Sequence, residues 1–157
     1  MAYFRQIRRL AYLAALLAFA FFELARSALA RRTFEFSTFD GGRPMVEDRM
    51  LYKTASRELN IRSYVEELIL GPVSLDLAPL VTKGTGLRSF MFRDGTVYAD
   101  FSGEAILEVP GGRPLYDSFL TLNRGIRRNF PFVSGVKLFV GGNEVFFDEF
   151  SKIFRAD

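Results

Sequence analysis

Three groups of residues in this 157-residue chain have types and spacings that invite a chemical reading. The first is Lys83-Gly84-Thr85-Gly86. A phosphate-cradling loop needs glycines spaced for a wrapped turn and a Lys-Ser/Thr pair opening a helix. Here the lysine precedes the glycines and a strand-like segment follows, so the run reads as an ordinary loop. The second group is Asp100 and Glu104, four apart with Ser102 between them. A carboxylate pair can do acid–base work or hold Mg²⁺. Against that, paired catalytic carboxylates flank their substrate from different elements. Asp-Phe-Ser at a strand end instead supplies oxygens that cap the next turn. The third group, Arg124, Arg127 and Arg128, places cations near the C-terminus of a predicted helix, where the helix dipole favours them. This possible interaction patch is either a solvated helix end or a contact for lipid headgroups or wall polymers.

Composition narrows the chemistry further. The chain has no histidine, cysteine or tryptophan. Ser-His-Asp and Cys-His nucleophiles, zinc sites built on His or Cys, thiolate-held clusters and disulfides are excluded together. No catalytic residue, metal site or cofactor is expected. The apolar fraction of 49%, with 18 phenylalanines, is enough for one packed core. Four of the 21 basic residues and one of the 18 acidic ones precede residue 31, so 17 of each follow. A body that is neutral in sum lacks the global field that drives phosphate-backbone binding, and nucleic acid is not an expected partner.

The basicity sits in the leader. Met1–Arg9 carries three arginines, and Leu10–Phe22 follows as 13 apolar residues. At about 1.5 Å per residue that run reaches ~20 Å, short of a ~30 Å hydrocarbon layer. The basic start, apolar middle and small Ala28-Leu29-Ala30 fit a secretory signal peptide cut after Ala30. Glu23 and Arg26 before that site equally fit an uncleaved anchor, with Leu24, Ala25, Ala28 and Leu29 extending an interfacial helix. Either way the basic flank puts the N-terminus inside and the body outside. Residues 1–30 are therefore read as signal peptide or membrane anchor, and 31–157 as the extracytoplasmic domain, tethered or released.

The elements that must position these residues follow from periodicity. Phe34 and Phe36 alternate with Glu35 and Ser37, Asp40-Gly41-Gly42 permits a reversal, and Pro44–Lys53 returns as a second strand. Ile61, Val65, Leu68 and Ile69 form a helical stripe that Ser56 or Asn60 caps and Gly71-Pro72 stops. After a loop over Pro72–Gly86, Asp94-Gly95 joins strands Leu87–Arg93 and Thr96–Phe101 in a tight hairpin. Leu115, Phe119, Leu122 and Ile126 mark a second helix, ended by Asn129–Pro131. Val136, Leu138 and Val140 alternate, Gly141-Gly142-Asn143 turns the chain, and Val145–Phe147 returns. Phe146, Phe150 and Phe154 suggest a short terminal helix docking its aromatics, with a membrane-surface role as the other reading. The expected fold class is α+β: one two-layer domain in ββαββαββ order, a mostly antiparallel mixed sheet with two helices on one face, preceded by the N-terminal hydrophobic helix.

The ordered set of segments resembles a GerMN domain. It runs from Val65-Glu66-Glu67-Leu68-Ile69-Leu70-Gly71-Pro72 through Pro79-Leu80 and Lys83-Gly84-Thr85. Arg93-Asp94-Gly95-Thr96-Val97-Tyr98 and Asp100-Phe101-Ser102 follow, then Thr121-Leu122 and Gly135-Val136-Lys137 through Val140-Gly141-Gly142. The resemblance covers about Arg31–Phe147 and implies a non-enzymatic extracytoplasmic module of the kind found in sporulation and germination lipoproteins. It implies a fold similar to the ring-building modules of secretion-type assemblies. It carries no catalytic residue, and it marks Glu66, Gly71, Pro72, Gly84, Thr85, Asp94, Gly95, Asp100, Phe101, Ser102, Thr121 and Leu122 as structural or interaction positions. The chain departs from the pattern in having one copy of the domain, no lipid-bearing cysteine, and a longer, more basic Gly125–Phe132. Anchoring then rests on Leu10–Phe22. The expected function is a non-catalytic cell-envelope interaction domain that docks an envelope or membrane protein or another copy of itself. The alternative is a wall-polymer or carbohydrate-binding module, or a weak hydrolase, using Asp100 or Glu104 with Tyr98.

Overall fold

The computed structural model describes residues 12–22, 28–39 and 43–145. The Asp40-Gly41-Gly42 reversal and the aromatics Phe146, Phe150 and Phe154 lie outside the described residues. Residues 12–22 are helical (α1) with exposed side chains. No helix among the described residues is long and apolar enough to cross a membrane.

Strands β1 (Leu29–Thr38) and β2 (Pro44–Tyr52) pair antiparallel in the register Leu29↔Tyr52 to Ser37↔Pro44. The even alternation of the Phe34-Glu35-Phe36 segment fixes which face is buried, and both phenylalanines are fully enclosed. Leu29 and Ala30 already belong to β1, and Lys53 N donates to the Ala28 carbonyl at 2.6 Å, so the strand starts before the expected boundary at residue 31.

Helix α2 (Arg57–Leu70) starts at Ser56, whose Oγ accepts from Leu59 N at 3.2 Å. Asn60, the other cap candidate, instead accepts from Thr54 N through its side chain at 2.7 Å. Gly71 ends the helix at φ +88°, a conformation glycine adopts without strain. The following loop holds a strand that the sequence does not announce, β3 (Leu77–Ala78), which pairs with the free side of β1.

Strands β4 (Leu87–Arg93) and β5 (Thr96–Phe101) form the hairpin expected at Asp94-Gly95, with both turn residues at positive φ. A short 3₁₀ turn, Gly103–Ile106, leads toward α3 (Leu115–Asn129), which carries the chain to β6 (Gly135–Val140), parallel to β5. β7 (Asn143–Glu144) closes the series antiparallel to β6, so Asn143 opens the returning strand instead of belonging to the turn.

The α+β class holds, with a correction to its architecture. The strands form two sheets, β2-β1-β3 and β4-β5-β6-β7, where a single one was expected. β2 and β3 flank β1 on its two sides, and β4 pairs only with β5, so no ladder joins the two sheets. α2 and α3 pack against each other and each touches both sheets, and one core joins Phe34 and Phe36, Ile61, Tyr64, Val65 and Leu68, Val97, Ala99 and Phe101, Phe119, Leu122, Ile126 and Leu138.

Candidate functional site

Once folded, several of the singled-out polar residues serve to hold the chain. Asp94 and Gly95 make the hairpin turn, and the Gly95 carbonyl accepts from Ser134 N at 2.8 Å and Ser134 Oγ at 3.1 Å. Asp100 sits in β5 with a largely enclosed side chain. Its Oδ1 accepts from Gly142 N at 3.0 Å, so it secures the β6–β7 turn 42 residues away and not the turn that follows it. Ser102 Oγ accepts from Gly86 N at 2.9 Å, tying the start of β4 to the end of β5. Phe101 packs edge-on to Phe119, with ring centroids 5.8 Å apart, and Leu122 is core. Thr121 is buried and its Oγ1 accepts from Arg113 Nη1 at 3.0 Å, while Arg113 also reaches Glu35.

The carboxylates do not assemble as an acid–base pair. Glu104 stands exposed on the 3₁₀ turn, where a hydrogen bond from Ser102 and one from its own backbone hold it below the usual carboxylate range. A general acid needs the opposite displacement. Tyr98 and Asp100 do share a depression of about 260 Å³ with Phe139 and Gly142, and Glu104 is not among its lining residues. Among the described residues no three carboxylate-bearing side chains gather as a cation site.

Other motif residues converge on the surface. Pro72, Pro79, Lys83, Gly84 and Thr85, which belong to three separate segments, line one groove of about 470 Å³ at the C-terminal end of α2. Gly84 turns the loop at φ +97°, and Thr85 braces it by donating from N and Oγ1 to the Thr82 carbonyl at 3.1 and 2.7 Å. Around the groove Leu70, Val73 and Leu75 project into solvent, Leu75 with 93% of its surface exposed. Contiguous exposed apolar surface of this kind marks contact sites for other molecules. A second, larger cleft of about 610 Å³ opens between the 3₁₀ turn, the start of α3 and β7, lined by Ile106, Leu115, Tyr116, Phe119 and Val145.

Two charged features mark helix α2. Glu66 stays on the solvated face of α2, paired with Arg62 at 2.8 Å. Arg49, which sequence reasoning passed over, is half-buried beneath the groove. It donates to Glu47 at 2.7 Å, to Glu67 at 3.1 Å and to the Gly71 carbonyl at 2.7 Å, and it lies 4.8 Å over the Phe34 ring. Glu47 passes the support onward by accepting from Val73 N and Ser74 N at 3.2 and 3.0 Å. The alternation of β2 contained the signal, because Glu47 and Arg49 share a face with Leu51 and therefore point inward. Arg124, Arg127 and Arg128 are exposed on the last turns of α3, away from the groove.

The fold and this surface define a small α+β module whose motif residues build turns, caps and one apolar groove. The model of the Germane family, described as sporulation and spore germination, matches residues 36–146, and the chain belongs to that family. Among solved structures the chain is similar to the tandem GerMN domains of the sporulation protein GerM from Bacillus subtilis. The identity is 20% and the TM-score 0.50, over 75% of this chain and 41% of that one. It also matches the first GerMN domain of GerM, at 20% identity and TM-score 0.45, over 72% of this chain and 85% of that one. A proposed lipoprotein from Clostridium perfringens matches at 22% identity and TM-score 0.48, over 75% of this chain and 78% of that one. No curated protein matches. The chain thus spans less than half of the tandem-domain protein, and the likeness to it is one of fold.

Proposed function

We propose that this chain is a non-catalytic, extracytoplasmic interaction domain whose apolar groove between α2 and the Pro72–Gly86 loop docks a partner protein of the cell envelope or a second copy of the domain. The observation that carries this is the convergence of Pro72, Pro79 and Lys83-Gly84-Thr85 on one groove rimmed by solvent-exposed Leu70, Val73 and Leu75. Buried apolar anchors surrounded by a polar rim are what protein contacts need. The outer position of β2 in its sheet adds an edge at which a second chain can extend the strands. Membership of a sporulation and germination family supports a setting at the cell envelope.

Delivery and attachment are assigned to the leader. Leu10–Phe22 holds the chain at the membrane if uncleaved, or is lost with a cut near Ala30. The exposed apolar side chains of α1, among them Leu13, Leu16, Leu17, Phe19 and Phe21, support the tethered form. So does the position of Leu29 and Ala30 inside β1, since a cut after Ala30 removes two paired residues from that strand.

A photo-crosslinking side chain at Leu75 in intact cells tests the docking. A discrete adduct with an envelope protein, or a dimer of this chain, is expected from Leu75 and not from Glu66 on the solvated face. Equal adduct patterns from both positions, or none from either, would refute the groove as the contact.

A further inference from the structure

The body is neutral in sum, yet its charges are sorted by position. Several contacts gather one set of cations at the end where the described body begins. The backbone bond from Lys53 to Ala28 puts Lys53 there, and the Leu29↔Tyr52 pairing places Arg31 beside it. Arg57, at the start of α2, lies 5.0 Å over the Phe132 ring, so the loop after α3 comes to the same end. Arg32 stacks 4.3 Å over Phe130 and donates to the Asn129 carbonyl at 2.8 Å, which brings the last turn of α3, with Arg127 and Arg128, alongside. Phe92 N donates to Glu58 at 3.0 Å and the Phe92 ring meets Phe132, so the β4–β5 turn with Arg93 joins them.

Four carboxylates face these seven cations: Asp48 paired with Arg31, Asp94 paired with Arg93, Glu58 spent on a backbone amide, and Glu35, which shares a depression with Arg128 while pairing with Arg113. Lys53, Arg127 and Arg128 have no ion pair among the described residues and are exposed. The opposite end, where Gly111 lies against Phe39, carries Asp76, Glu104, Glu108 and Asp117 against Lys83 and Arg43, besides Arg113, which pairs with Glu35, and the Arg88–Asp100 pair. Tyr52, 78% exposed beside Lys53, and the exposed Phe132 add aromatic rings to the basic end. Basic residues with interfacial aromatics suit the headgroup layer of an anionic bilayer.

We infer that the pole bearing Lys53, Arg57, Arg127 and Arg128 is a contact surface for anionic phospholipid headgroups, which holds the body upright with its acidic pole and apolar groove turned away from the membrane. The inference deepens the proposed function, resting on the reading that the residues before Ala28 lie at a bilayer. In the field of a negative surface the basic pole is attracted and the acidic one repelled, so orientation follows even though the net charge is near zero.

The test uses the full chain, whose lack of native cysteine makes a single introduced one the only label site. Donor fluorophores go on Thr54→Cys at the basic pole or Val73→Cys near the groove, and acceptors on the lipid headgroups of phosphatidylcholine vesicles with or without phosphatidylglycerol. With phosphatidylglycerol, energy transfer from the Thr54 label is expected to exceed that from Val73. The excess should be lost at high salt and in an Arg127→Glu/Arg128→Glu variant, and partly lost in the milder Arg127→Gln/Arg128→Gln variant. Flotation with pure phosphatidylcholine reads the tether separately. Binding only to anionic vesicles, Thr54 label nearest, keeps the basic-pole contact and removes the tether. Equal transfer from both labels, or transfer indifferent to salt and charge reversal, overturns the inference. So does salt-sensitive binding to a soluble glycerol-phosphate polymer with no reorientation on vesicles.

Discussion

Gly125 sits in the interior of α3, where glycine costs about 1 kcal/mol relative to alanine. Its reason is Tyr64. A Cβ on residue 125 would fall 2.5 Å from the Tyr64 hydroxyl, which donates to the Thr33 carbonyl at 3.1 Å. Asn129 Nδ2 donates to the same carbonyl at 2.8 Å, so the missing side chain lets α2, α3 and β1 meet at one point. Burial also pushes the Tyr64 hydroxyl well above the ordinary phenol range, so it stays a neutral donor. Gly125→Ala should therefore destabilise the chain by about 1–3 kcal/mol despite its better helix propensity. In a Tyr64→Phe background, where the nearest ring carbon is 3.6 Å away, the same change should be neutral or stabilising. Denaturant unfolding of the four chains measures this, and an equal cost in both backgrounds would refute the packing account.

At the scale of elements, the Glu47–Arg49–Glu67 cluster joins the β1–β2 hairpin to the end of α2 and to the groove's wall. Burial opposes ionisation of Glu47, but the hydrogen bonds from Arg49, Ser74 and Val73 outweigh it and hold the carboxyl below its usual range. A carboxyl depressed in the folded state stabilises the fold above its unfolded pKa of about 4.3 and loses that contribution as pH falls through the folded value. Stability should decline from about pH 5 downward, and Glu47→Gln should flatten that slope. A pH series of chemical denaturation reads both, and an unchanged slope would refute the assignment.

The sequence made the hairpins and both body helices legible because Asp94-Gly95, Gly71-Pro72 and the apolar stripes are local signals. The division into two sheets was not legible, since β3 is two residues long and has no period to detect. The groove was only half legible: its residues belong to segments that resemble the family, but their convergence depends on how the Pro72–Gly86 loop returns against α2. Asp100 shows the same limit, because its partner Gly142 is remote in sequence.

Across the whole molecule, the family's polar motif residues stabilise turns and caps, the apolar groove occupies one end, and the cations collect at the other. That separation gives a neutral body two chemically distinct ends, as the proposed headgroup contact and groove docking require. The proposed function requires a body that lies outside the bilayer and works through contact at the groove. Reaction of a membrane-impermeant maleimide with Leu75→Cys in the groove and with Met91→Cys on exposed β4, compared between intact cells and the purified chain, tests this most directly. Both sites should react in intact cells, with Leu75→Cys slowed relative to its rate in the purified chain and Met91→Cys unchanged. Labelling only after lysis, or a Leu75→Cys rate in cells equal to that of the purified chain, would contradict it.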